Sequence, residues 1–183
     1  MNINTYSEDN RYAESKELAL KTNSFLHKKL SKYWKIESIL PVTDKRLQKN
    51  GVDKLMFVNS QQPISIEEKI RRFTRNDILV ELIGDHRYYL KKDFALGWGL
   101  RDYKTDLLLY YFEDTNTGYV FNWKKFQKAF LKNLPIWHDF AKKRLFGFSL
   151  HKAYNDRGYH SINIAIPKDR MIEAYIECGG KII

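Results

Sequence analysis

GVDKLMFVNSQQPISIEEKIRR, residues 51–72, is the stretch from which the rest of the chain can be read. Two apolar runs flank a polar segment that ends in Pro63, the pattern of a β-hairpin. Residues two apart on a strand share a face. Asp53, Leu55 and Phe57 therefore point one way, and Ser65, Glu67 and Lys69 lie opposite Ile64, Ile66, Glu68 and Ile70. Pairing of the two strands lets Asp53 and Glu67 converge near one sheet edge. Two carboxylates held close repel one another unless a cation neutralises them, and an oxygen-only set with room for water suits Mg²⁺, with Mn²⁺ as the alternative. Lys69 beside them completes a set suited to phosphodiester hydrolysis: a metal polarises the phosphoryl oxygen and lowers the pKa of bound water, and an ammonium group offsets developing charge. Taken alone, an acid followed by Glu-x-Lys is more often a solvated surface pair.

The flanking sequence gives the hairpin its setting. Residues 8–33 read as an amphipathic helix with Leu18, Thr22, Phe25, Leu26, Leu30 and Tyr33 on one stripe and Ser7 as its cap. Strands are expected at WKIESILPV (34–42), GVDKLMFVN (51–59), PISIEEKI (63–70) and DILVELIG (77–84). Residues 86–104 read as a loop, with Gly97 and Gly99 around Trp98. DLLLYYFED (106–114) reads as a buried strand, with NTGYVFNW (116–123) as its hairpin partner. A second helix is expected from Trp123 to Asn133, capped by Asn122 and broken or kinked at Pro135 before a further turn. FGFSLHKAY (146–154), a turn around Asp156 and Gly158, SINIAIP (161–167) and a short helix after Pro167 complete the chain. The expected architecture is an α/β or α+β single domain, residues 1–183, around one mixed sheet.

Composition narrows the function. The 183 residues are 43% hydrophobic and 15% aromatic, which gives a folded chain with a real core. No segment approaches the roughly 18 unbroken apolar residues of a membrane span. The start, MNINTYSEDNRYAESKE, lacks a basic flank and an apolar signal region, and Cys178 is the single cysteine; a reducing, cytoplasmic location is expected. The formal charge of +10 favours a polyanion such as nucleic acid as partner. The five histidines show no zinc spacing, and neither a dinucleotide-binding nor a phosphate-binding glycine loop occurs.

The run Asp44-x-x-x-Gln48-x-x-Gly51-Val52-Asp53, followed by Ile66-Glu67-Glu68-Lys69, resembles the PD-(D/E)XK nuclease superfamily. It is similar in particular to uncharacterised bacterial and phage members with a Gly-[Ile/Val]-Asp strand before an acidic-acidic-Lys strand. Val80-Glu81, Gly97-Trp98 and Lys104-Thr105-Asp106 extend the resemblance, which covers most of residues 8–115. It implies a restriction-endonuclease-like core, a central mixed sheet flanked by helices. It also implies a metal-dependent deoxyribonuclease with Asp53 and Glu67 as metal ligands and Lys69 as the catalytic lysine. Superfamily members often add a glutamate from the first helix. Glu14, at the edge of the apolar stripe, fits that role better than Glu17, further toward solvent. Glu68 falls on the apolar face of its strand, where an unpaired carboxylate is costly. A bulge or strand end there would make Glu68 the inward acid instead. Glu81, sharing a face with Leu79 and Ile83, and Gln48 are lesser candidates.

For the substrate, Arg71, Arg72 and Arg75 follow the Glu-x-Lys strand directly, and Lys124, Lys125, Lys128 and Lys132 form a basic arc on the second helix. Lys142, Lys143 and Arg144 make a further short basic run. Tyr88, Tyr89 and Trp98 are placed to stack on unpaired bases. DNA is the expected partner, a membrane is not, and a homodimer is compatible with the pattern. The rival readings are a nucleic-acid-binding protein without efficient cleavage and a structural or interaction protein of a phage or mobile element.

Overall fold

Antiparallel pairing of Lys54 with Ile66, Leu55 with Ser65 and Met56 with Ile64 closes the expected hairpin. The computed structural model describes residues 8–59, 61–85, 95–154 and 160–183. The hairpin strands are β2 (Lys54–Val58) and β3 (Ile64–Arg71). Before them come α1 (Glu8–Leu30), β1 (Ile36–Pro41) and the short α2 (Lys45–Lys49). After them come β4 (Asp77–Asp85), β5 (Ala95–Leu96), β6 (Leu107–Phe112), β7 (Thr117–Asn122), α3 (Trp123–Lys143), β8 (Ser149–Tyr154), β9 (His160–Pro167) and α4 (Lys168–Glu177). The Ser7 cap, Tyr88, Tyr89 and the turn at Asp156 and Gly158 lie outside the described residues.

The fold is mixed α+β, but its strands form two sheets where one was expected. The order β1-β2-β3-β6-β7 makes a mixed sheet with β3 and β6 parallel; β5-β4-β9-β8 makes a second, antiparallel one. Alternation identifies strands but not their partners, so nothing local assigned β4 to β9 rather than to β3. Asp106 fastens the parallel join: its carboxylate accepts from the Ser65 backbone N–H at 2.8 Å and from the Ser65 hydroxyl at 2.7 Å.

The mixed sheet buries both faces. Phe25, Leu26 and Leu30 of α1 pack on Met56, Val58, Ile66, Leu109 and Tyr111. Tyr33, expected on the same stripe, lies beyond the helix end and is exposed. On the other face, Leu108, Tyr110 and Phe112 meet Ile78 and Val80 of β4, Ile164 and Ile166 of β9, and Trp123, Phe126 and Phe130 of α3. The Tyr110 hydroxyl ties the sheets together by accepting from the Leu79 N–H at 2.9 Å.

α3 begins as expected, with the Asn122 side chain accepting from the Lys125 N–H. It does not break at Pro135 but runs through to Lys143. Proline there removes one N–H, on a stretch where Leu131 and Ile136 are exposed and water can satisfy the freed carbonyl. The helix stops at Arg144, whose φ of 55° is left-handed.

Candidate active site

Asp53 stands one residue ahead of β2, and its backbone N–H donates to the Ile66 carbonyl at 2.8 Å. With Lys54 opposite Ile66, the register sets Asp53 beside Glu67, on the face turned away from α1. The Asp53 carboxylate accepts from the Glu68 N–H at 2.8 Å, which fixes it across the strand pair. Glu67 is almost fully buried and forms an ion pair with Lys69, whose side chain is about a quarter exposed. Burial pushes the Glu67 carboxyl up to about 7; Lys69 pulls it down, and the neighbouring Asp53 pushes it further up. Asp53, Glu67 and Lys69 are thus brought together on rigid strands.

A sharp turn precedes this acid. Gly51 has φ +77°, and a Cβ there would lie 2.3 Å from the Tyr103 ring. Tyr103 is buried, and its hydroxyl is held protonated by burial and by the Glu67 charge. Gly51→Ala is expected to cost about 2–4 kcal/mol, from backbone strain plus overpacking. A urea midpoint that does not move would show that Tyr103 yields freely.

The β4 side closes the arrangement. Lys69 Nζ lies 5.6 Å from the centroid of the Trp98 ring. Trp98 is buried and stacked on Phe126, so the expected role of its ring in base stacking is corrected to packing. Glu81 reaches the same place: Lys69 and Arg101 draw its carboxyl down against a larger rise from burial, and the Trp98 N–H donates to it. Gly97 packs so closely that a Cβ would meet the Glu81 carbonyl oxygen at 2.2 Å.

Other candidates lie elsewhere. Glu14 lines a cavity of about 330 Å³ with Glu17, Arg72 and Glu113, and is not grouped with Asp53 and Glu67. Gln48 donates to the Val42 carbonyl at 2.8 Å, bracing the turn. Glu68 neither bulges out nor turns inward to Glu67, because β3 keeps an unbroken register along β6. It faces α1 and pairs with Lys54 at 2.9 Å. Arg71 is tied to Asp77 and to the Tyr110 hydroxyl, both at 3.2 Å, while Arg72 and Arg75 are exposed. Lys124 pairs with Asp102 at the surface, and Lys128 is exposed one turn along. Gln127 donates to the Arg101 carbonyl at 2.6 Å, so α3 braces residues 101–103 and presents this lysine edge near Tyr103.

The residue that sequence reading passed over is Lys54. It is 2% exposed, and its ammonium donates to the Thr22 hydroxyl at 2.6 Å, the Asn23 side-chain oxygen at 2.5 Å and the Ala19 carbonyl at 3.4 Å. An ammonium has three donors. All are spent on α1, and the Glu68 contact is mainly charge on charge. Burial raises the Glu68 carboxyl, and Lys54 restrains it. The signal was in the parity: Lys54 alternates with Met56 and Val58 on the apolar face of its strand, and its partner Ile66 shares that face with Glu68.

Asp53 and Glu67 set two carboxylates side by side, and burial makes Glu67 costly to ionise. Among the described residues there is no group of three or more His, Cys, Asp or Glu side chains that could hold a metal ion. Mg²⁺ commonly keeps several waters and is held by only one or two carboxylates. Among the described residues, no helix is long and apolar enough to cross a membrane. Comparison with protein-family models, curated proteins and solved structures finds no match for this chain.

Proposed function

We propose that this chain is a Mg²⁺-dependent DNA endonuclease, with a restriction-endonuclease-like core, that hydrolyses phosphodiester bonds at Asp53, Glu67 and Lys69. The observation that carries the reading is the meeting of these three side chains on one face of the hairpin, with Glu67 held near neutrality. Asp53 and Glu67 would hold the ion, and Mn²⁺ would serve in its place. Bound there, a divalent ion supplies Lewis acidity and a water of lowered pKa. Asp53 is oriented for this by the Glu68 N–H. Lys69 would place a positive charge where a phosphoryl oxygen gains negative charge, beside the buried ring of Trp98. Lys124 and Lys128, on the adjoining helix, and the exposed Arg72 and Arg75 would hold the phosphate backbone.

One observation favours cleavage-free nucleic-acid binding as the second reading: Lys69 already neutralises Glu67. Incubating the chain with supercoiled, linear and branched DNA in Mg²⁺, Mn²⁺ or chelator separates the two. Metal-dependent nicking supports the nuclease; binding without cleavage on every substrate supports the second reading. Under both, affinity for DNA should fall by about 10²-fold or more between 50 and 200 mM salt. Anisotropy titrations that show no binding, or tight binding indifferent to salt, would remove DNA as the partner.

A further inference from the structure

Two carboxylates on different sheets feel the Lys69 charge. Glu67, two residues earlier on β3, is its ion-pair partner. Glu81 belongs to β4 of the antiparallel sheet, opposite Asn163 of β9. Its position is fixed from several sides. Gly97 packs on its backbone and Cγ, a Cβ at Gly84 would lie 3.3 Å from its Oε1, and the Gly99 N–H donates to its carbonyl at 3.1 Å. The Trp98 N–H and the Ser161 side chain hold the carboxylate itself. Trp98 contributes twice, since its ring also lies beside the Lys69 ammonium.

This placement answers a difficulty in the metal reading. An ammonium and a divalent ion repel strongly at contact distance inside a protein, so Lys69 cannot keep its present grip on a Glu67 that holds a cation. A lysine without a second partner would swing into solvent, and its charge would be lost to the site.

We propose that Glu81 is a positioning residue for Lys69, a second carboxylate that receives the ammonium when Asp53 and Glu67 take a divalent cation. This rests on the reading of Asp53 and Glu67 as the metal pair. Glu81 touches neither the ion nor the phosphate. It keeps Lys69 beside the reacting group, and it lowers the competition between Lys69 and the metal for Glu67.

The test is calorimetric titration of the full chain with MgCl₂ and with MnCl₂, without DNA. Four proteins are compared: wild type, Glu81→Gln, Lys69→Ala and the double variant. Glu81→Gln should weaken metal binding about three- to tenfold, because Lys69 then has only Glu67 to pair with. In the Lys69→Ala background the same change should have no effect. A long-range charge effect of Glu81 would persist there, and that result would overturn the proposal. An affinity for Glu81→Gln equal to that of wild type would overturn it as well. A wild type that binds neither ion would sink the metal reading first and this inference with it. In cleavage, Glu81→Gln should lower kcat at unchanged KM, whereas loss of a merely structural contact would lower the unfolding midpoint and leave kcat per folded molecule intact. Should Glu81→Gln fail to fold, Glu81→Asp, which keeps the charge on a shorter arm, is expected to show an intermediate loss of metal affinity; unchanged affinity would count against the proposal.

Discussion

Lys69→Ala is expected to slow DNA cleavage by about 10²–10³-fold, the scale on which enzymes lose rate when one preorganised charge-stabilising group is removed. The substitution takes away the ammonium paired with Glu67 and leaves Asp53 and Glu67 in place. Mg²⁺ should bind at least as well as in wild type, since a competitor for Glu67 has gone. Asp53→Asn should separate the two effects in the opposite sense. A neutral amide replaces a charged ligand, and metal affinity should fall beyond the roughly 10–100-fold typical of outer-partner losses. The acidity of Glu67 adds a pH signature. With its carboxyl pushed up to about 7, Glu67 is protonated in more acidic solution and unable to ligate. Metal affinity and cleavage should therefore rise about tenfold per pH unit up to about 7 and level off above it. Single-turnover cleavage with parallel calorimetry between pH 5.5 and 8.5 measures all three. A Lys69→Ala variant that cleaves as fast as wild type would take Lys69 out of the mechanism.

Lys54→Met is expected to be the most damaging single change to stability, at about 3–5 kcal/mol. The Lys54 ammonium is buried, and its removal strands the Glu68 carboxylate together with the side-chain oxygens of Thr22 and Asn23. Removing the pair together should cost far less, because a buried ion pair recovers little more than its own desolvation. Lys54→Met with Glu68→Met should therefore regain most of the loss. At roughly 2–4 °C per kcal/mol for a chain of this size, the single variant should melt about 10 °C low. Urea unfolding of wild type, single and double variants is the measurement. Equal losses in the single and double variants would mean that the pair is worth its full face value to the fold.

Much of the architecture was legible because alternation and helical periodicity are local. The strands starting at Ile36, Lys54, Ile64, Asp77, Leu107, Thr117, Ser149 and His160 all overlap the runs read from sequence, with those at Ile64, Asp77 and His160 each reaching one residue past them. Strand partners were not legible, since β4 and β9 find each other across a long stretch of intervening chain. The parity of Asp53 and Glu67 was readable for the same local reason, and the structure sets the two side by side. The position of Glu14 was not, because a helical wheel shows which side of α1 faces inward but not where along β3 each turn lands. Trp98 illustrates the same limit. Between two glycines it looked like an exposed loop residue, but those glycines allow a close approach to β4 that carries the ring into the core.

The pairing order of the strands has a consequence for how the chain reaches this state. β3 must wait for β6, and β4 for β9, so each sheet stays incomplete until chain far downstream has been made. The two sheets are also interleaved along the sequence, so neither corresponds to a continuous segment. Loops of this length make the early contacts entropically expensive, which places the chain among slow folders on the millisecond-to-second scale. During synthesis β4 would emerge long before its partner, and its free edge is then exposed to pairing with other chains. Cutting the chain after α3 would remove β9 and leave that edge permanently open. The carboxylate Glu81 would lose the strand beside it at the same stroke, so the surroundings of Glu81 depend on the last strand in the chain.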